Sequence, residues 1–210
     1  EIPKRDWSSD VCSSDLYMTS LVRQDFLVLT NSVLYRAQEV RHHLLPIDFA
    51  ETREAMETNI KSRSAAKNHL AKGGCLVVFP AGGASTVAKP WHRRAMDAEW
   101  KNLTARLISG TKSAVVPVYF SGQNSRLFQI ASHISMTLRL SLFFKEVYNK
   151  IGAEIHFRIG RTMPYAEIAH LDRKEMMEHL RQITYDLGND VPYRKIKGIR
   201  PRRKAMIDSP

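Results

Sequence analysis

The stretch Lys72-Gly73-Gly74-Cys75-Leu76-Val77-Val78-Phe79-Pro80-Ala81-Gly82-Gly83-Ala84-Ser85-Thr86 decides the reading of the fold. A helical pattern closes on two glycines, five apolar residues follow without a polar interruption, and Pro80 opens a Gly-rich turn. A short continuous apolar run between such breakers predicts a strand over Cys75–Phe79, covered on both faces. A strand that runs directly into a Gly-rich turn lets backbone N–H groups approach a phosphate or a developing oxyanion, with the Ser85 and Thr86 hydroxyls as further donors. An ordinary tight turn accounts for the same residues. The turn is not a P-loop, because no Gly-Lys-Ser/Thr follows, and it is not a nucleophile elbow, because Val87 stands where glycine is needed.

Outward from that stretch, strand-like and helix-like patterns alternate. Phe26–Thr30 predicts a strand, Val33–His43 a helix, and Leu44–Ile47 an extended segment, since the residue before Pro46 disfavours helix. Thr52–Lys72 predicts a helix with Met56, Ile60 and Leu70 near its packed face. Asp97–Ser109 predicts a helix with Gly110 past its end, Ala114–Phe120 a buried strand, and Asn124–Lys150 helix broken near Ser132–Ser135. Ala153–Ile159 alternates as a strand, and Asp172 with Glu175 offers a capping box for a last helix carrying Met176, Leu180, Ile183 and Leu187. The fold class is therefore α/β, a mixed sheet flanked by helices in a single domain. Trp100 and the Met176/Met177 pair are expected in the core, and Cys75 is expected to be a buried structural thiol.

Phe79-Pro-Ala-Gly-Gly-Ala-Ser85 is similar to the Phe-Pro-Glu-Gly-Thr-Arg-Ser block of the glycerolipid and lysophospholipid acyltransferases. Val116-Pro117-Val118 resembles that family's later Val-Pro-Val/Ile block, and Leu44-Leu-Pro-Ile-Asp48 its apolar-Pro-Ile segment. Gly122-Gln-Asn-Ser-Arg-Leu-Phe128 most resembles the bacterial hemolysin-like branch. The similarity runs over roughly Tyr17 to Leu187. It implies an acyltransferase-type domain that moves a fatty acyl group from acyl-CoA or acyl carrier protein to a lipid acceptor. The implied substrate-binding residues are Phe79, Pro80, Gly82, Gly83, Ser85, Thr86 and Arg126; a solvated surface arginine explains Arg126 equally well. No metal or redox cofactor is implied. Ala81 and Ala84 replace the family's Glu and Arg, and loss of that arginine removes a bidentate hold on phosphate. The acceptor implied is thus a lyso-lipid or aminolipid as readily as a glycerol phosphate.

The family's catalytic signature is His-x4-Asp, in which histidine takes the acceptor's proton while aspartate orients it. Two such strings occur, His43-x4-Asp48 and His92-x4-Asp97. The first coincides with the family's second block and the second follows the Phe-Pro block, so neither occupies the family position. That position is expected just upstream of Tyr17. There, Asp6-Trp-Ser-Ser-Asp-Val-Cys-Ser-Ser-Asp-Leu16 reads as the in-frame translation of a common sequencing-library adapter. Glu1–Leu16 is accordingly expected to be foreign to the fold and to pack on nothing, 17–188 to form the domain, truncated at its N-terminus, and 189–210 to be a basic tail. The chain is expected to be inactive for want of the catalytic pair.

The 210 residues carry a net charge of +11, and +13 once Glu1–Leu16, with two basic and four acidic residues, is set aside. No run approaches the ~18 apolar residues of a spanning helix; the longest candidate, Ile134–Phe144, holds Arg139. A transmembrane channel is excluded, and the charge suggests an anionic partner. The expected setting is peripheral, on the cytoplasmic face of a bacterial inner membrane, with the seven basic residues of Tyr193–Lys204 either on anionic lipid or in a solvated tail. Beyond Cys12 only Cys75 remains, so no internal disulfide is expected. A nucleic-acid-binding protein and a serine hydrolase using Ser85 are the rival readings. The first is disfavoured because the basic residues are not interleaved with aromatics.

Overall fold

The computed structural model describes residues 11–32, 38–82, 85–87, 89, 95–121, 124–134, 142 and 156–189. The sequence predicts one mixed sheet; the described residues form two separate ones. Helix α1 (Val11–Ser20) leads into β1 (Phe26–Asn31), a 3₁₀ turn (Gln38–His43), β2 (Leu44–Ile47), α2 (Arg53–Ala71) and β3 (Cys75–Val78). The three strands are parallel in the order β2-β1-β3, with Val28 opposite Leu44 and Phe26 opposite Cys75. The second part holds α3 (Leu103–Thr111), β4 (Val118–Phe120), α4 (Arg126–Ile134), β5 (Phe157–Ile159), α5 (Tyr165–Ile168) and α6 (Arg173–Asp186). There β4 and β5 form a separate antiparallel pair, with Tyr119 opposite Arg158.

Period-two alternation puts β1 at the centre of two clusters. Phe26 and Val28 pack with Leu16 and Leu44 and against Cys75, Val77 and Phe79. Leu29, on the other face, packs with Ala66 and Leu107 and against Leu45, Ile47, Leu76 and Val78. A third cluster joins α3 to α6 through Ala105, Ile108, Met163, Ile168, Met176, Met177 and Leu180, with Trp100 packed against it. The core placement expected of Trp100 and the two methionines is therefore observed.

Helix α2 matches the sequence at its ends. Thr52 Oγ1 accepts the Ala55 amide at 3.1 Å, and the chain leaves through Gly73 at φ +80°, with Gly74 N–H donating to His69 O and Gly73 N–H to Leu70 O. Its packed face differs from the expectation. Ala55, Ser62 and Ala66 are buried, whereas Met56 and Ile60 are exposed. Small residues let the helix axis approach the sheet closely, and Ser62 Oγ donates to the Pro46 carbonyl at 2.6 Å. The capping box on α6 forms as read: Asp172 accepts from the Lys174 and Glu175 amides, and Glu175 accepts from the Asp172 amide.

Four further expectations are corrected. Helix α3 begins at Leu103 rather than Asp97, because 97–101 make tertiary hydrogen bonds instead: Lys101 N–H to Pro80 O and Asp97 N–H to Tyr185 Oη. It runs past Gly110 and ends on Lys112 in the left-handed region at φ 52°. The strand expected over Ala114–Phe120 is interrupted at Pro117; Val115 bridges Met163 by itself and only Val118–Phe120 pairs with β5. The expectation that Glu1–Leu16 packs on nothing fails at its last residue. Residues 11–20 are helical, and Leu16 is buried against Phe26, Val28 and Leu44, because a leucine one turn before the end of α1 covers that face of the sheet. Trp7 and residues 33–37, 135–141, 153–155 and 193–204 lie outside the described residues; of the elements expected across them, the helix read over Val33–His43 is described only as the 3₁₀ turn Gln38–His43, while Arg126–Ile134 and Phe157–Ile159 form helix and strand as read. No helix among the described residues is long and apolar enough to cross a membrane.

Candidate functional site

Parallel strands end together, and the carboxyl ends of β2, β1 and β3 bring Asp48-Phe49, Asn31-Ser32 and Phe79–Gly82 to one edge. In the order β2-β1-β3 the chain after β1 returns to β2, on the side away from β3, and the chain after β3 leaves this sheet for α3; in open α/β sheets ligands bind beyond the carboxyl ends of the strands. The turn after β3 is held by Gly82 N–H donating to Phe79 O at 3.0 Å, with Gly82 at φ +69°, a backbone conformation open to glycine. A Cβ on Gly82 would meet the Phe49 ring at 3.4 Å, and Lys101 Nζ sits 5.8 Å from the centroid of that ring. Asp48 is fixed at the same edge: its N–H and C=O bond the Asn59 side-chain amide, and its carboxylate accepts from the Ala50 N–H and from Ser32 Oγ.

Past the turn, Asp97 is the organising residue. Ser85 Oγ donates to Asp97 Oδ1, Trp100 Nε1 donates to Oδ2 at 3.0 Å, and Arg181 Nη2 donates to the Asp97 carbonyl at 3.1 Å. Thr86 and Met96 exchange both backbone hydrogen bonds, closing the loop between them. Helix α4 grips the same segment from its other side. Gln129 Oε1 accepts the Val87 amide at 2.9 Å, and His133 Nε2 donates to Val87 O at 2.9 Å.

Each residue singled out in the sequence now has a place. Phe79 packs against the cluster under the sheet, and Pro80 accepts the Lys101 amide through its carbonyl. Gly82 stands exposed at the carboxyl edge; Gly83 lies outside the described residues. Ser85 and Thr86 are half-buried. The donors expected to face an anion have internal partners: the Ser85 hydroxyl, and the amides of Gly82, Thr86 and Val87. Arg126 is exposed at the first turn of α4, one turn before Gln129.

Of the two His-x4-Asp strings, only His43-x4-Asp48 lies wholly within the described residues. His43 stacks on Phe26 at 4.2 Å and donates through Nδ1 to the Phe26 carbonyl at 2.9 Å. That is the amino end of the sheet, while Asp48 lies beyond the carboxyl end of β2. At about 3.3 Å per residue the strand between them keeps the pair far outside hydrogen-bond reach. His92 lies outside the described residues, and its partner in the string, Asp97, accepts from Ser85 and Trp100. Among the described residues no histidine is hydrogen-bonded to Ser85, so the serine has a carboxylate partner without the imidazole that a nucleophile requires.

The Cys75 thiol is half-buried at the amino end of β3, and burial pushes its pKa up, the opposite of what a reactive thiolate needs. Burial also pushes up the Tyr185 phenol, against the Asp97 amide that donates to its oxygen. Sequence reading missed Asp97 as a hub, together with Ser32, Phe49, Lys101 and Gln129. These contacts join residues 12 and 42 positions apart (Ser85 to Asp97, Val87 to Gln129), and periodicity within an element carries no signal for pairing between elements. No protein-family model and no curated protein matches this chain.

Proposed function

We propose that the chain is an acyltransferase-type domain that binds a fatty acyl thioester and a glycerolipid or lyso-lipid acceptor at an anionic membrane surface. One observation carries the reading. The turn that resembles the acyltransferase Phe-Pro block opens at the carboxyl edge of a parallel sheet, beside Asp48 and Phe49 after β2. The donor is acyl-CoA or acyl carrier protein, and the setting is the cytoplasmic face of a bacterial inner membrane. Phe79 and Pro80 shape the turn, Gly82 admits the acceptor, and Ser85 and Thr86 wall the segment that leads from it. Neither His43 nor Asp97 belongs to a His–Asp pair among the described residues, so the chain binds without efficient transfer; a general base accounts for ~10²–10⁴-fold.

The test is binding and turnover measured side by side. Saturable binding of a long-chain acyl thioester and of a lyso-lipid is expected, with transfer near background and unchanged in His43→Ala. Gly82→Val forces a β-branched residue to φ +69° beside Phe49 and is expected to weaken acceptor binding about tenfold. Absence of binding to either ligand overturns the reading, as does labelling by a serine-reactive probe that Ser85→Ala abolishes. Tight, steeply salt-dependent binding of nucleic acid would overturn it in favour of the nucleic-acid reading.

A further inference from the structure

We propose that the exposed face of α4 is a docking surface for a bilayer containing anionic lipid, which seats the carboxyl-edge site at the membrane. The helix has two unlike faces. Phe128, Gln129 and Ala131 are buried, and Gln129 with His133 holds Ser85–Val87. Leu127, Ile130 and Ile134 are 51%, 41% and 68% exposed, and at 100° per residue they fall within a ~60° arc. Three large apolar side chains aligned on one solvent-facing stripe are unusual on a helix that packs by its other face.

Charge selects the occupant. Arg126–Ile134 contains no acidic residue, Arg126 stands exposed beside the stripe, and Gly122–Lys150 holds four Lys/Arg against one Glu in a chain of +11. An apolar stripe without acidic neighbours on its helix and flanked by Arg126 fits a helix lying in an anionic lipid interface. The rival apolar pair, Met56 and Ile60 on α2, borders Glu57 as well as Arg53, and those two charges pair with each other at 3.3 Å. Position adds a second argument. Because the buried side of α4 grips Val87, a bilayer on its exposed side lies beside the segment that continues from the Gly82 turn.

The inference rests on the lipid reading above for its choice of partner. Its test uses vesicles alone, without thioester or lyso-lipid, so its failure is separate from failure of the acyl reading. The chain is sedimented with phosphatidylcholine vesicles, with and without an equal share of phosphatidylglycerol. Binding is expected on the anionic vesicles and to fall with salt. Ile130→Ser with Ile134→Ser is expected to lower that binding about tenfold, since less apolar area reaches the interface, while Met56→Ser with Ile60→Ser leaves it unchanged. Arg126→Glu, which leaves the apolar stripe intact, is expected to weaken anionic binding as well, and it decides the matter if the serine pair alters the fold. Failure of the unmodified chain to bind anionic vesicles overturns the proposal. So does equal loss from both serine pairs, or a change in self-association rather than in vesicle binding when α4 is altered.

Discussion

At Asp97 a single residue ties the turn after β3 to α6. Its carboxylate accepts from Ser85 and Trp100, its amide donates to Tyr185, and its carbonyl accepts from Arg181. Asp97→Ala leaves two half-buried donors without partners and is expected to cost about 2 kcal/mol after solvent screening, with Asn costing about half as much; urea unfolding measures both. Tyr185 supplies a pH-dependent test. Burial raises its folded-state pKa, so the fold favours the neutral phenol. That contribution is complete below the ordinary tyrosine value near ~10 and is lost as pH climbs through the folded value. Cys75 contributes in the same direction from its ordinary value of 9.0. Stability is therefore expected to fall on the alkaline side, and Tyr185→Phe to make that fall shallower while lowering the plateau by about 1 kcal/mol for the lost Asp97 hydrogen bond. An alkaline limb of unchanged slope in Tyr185→Phe would refute the assignment. Sequence made Ser85 visible as a polar residue in a Gly-rich turn, but Asp97 only as the end of a His-x4-Asp string and the start of an expected helix, not as a hub; a carboxylate that captures a serine and an indole competes with helix formation there.

Among the elements, α2 shows what pattern reading reaches. Its ends were legible because Thr52 and Gly73-Gly74 act locally. Its packed face was not, because alanine and serine carry little hydrophobic signal although Ala66 is wholly buried and Met56 is not. Ala66→Leu is expected to cost about 1–3 kcal/mol by overpacking against the sheet, whereas Ile60→Gln stays within about 0.5 kcal/mol; the reverse order would restore the face that the sequence suggests. Lys112 carries a left-handed conformation at the end of α3, two residues beyond Gly110, where the sequence placed the end of the helix. Lys112→Gly is therefore expected to stabilise by roughly 0.5–1 kcal/mol, seen as a rise in Tm. The capping box at Asp172 was legible for the same local reason as Thr52. The β4–β5 pair was not, since three-residue strands fall below the length at which alternation is informative, and Pro117 interrupts the longer run.

Across the whole molecule, α3 is the joint between the two parts. Leu107 packs into the cluster shared by β1 and α2, while Ala105 and Ile108 belong to the cluster shared with α6. A nine-residue helix whose neighbouring side chains serve different cores makes unfolding of one part expose the other. The alternation of strands and helices pointed to an α/β architecture, but not to this division. It depends on which faces of α3 meet which partners, and the apolar pattern of α3 does not distinguish them. Cooperative unfolding follows, and it can be read by two probes. Trp100 fluorescence reports on the α3–α6 cluster, and hydrogen exchange of the Phe26–Asn31 amides reports on the sheet, provided the other tryptophans, Trp7 and Trp91, are replaced by Phe. Leu107→Ala removes buried volume from the sheet side and is expected to cost about 2–5 kcal/mol. If α3 couples the parts, the Trp100 transition shifts by the same amount as β1 exchange, although Leu107 does not belong to the cluster of Trp100. Ile108→Ala, on the other side, is expected to shift both probes in the same way. A variant that moves one transition and leaves the other in place would show two independently folding units and remove α3 as the link between the sheet edge and α6.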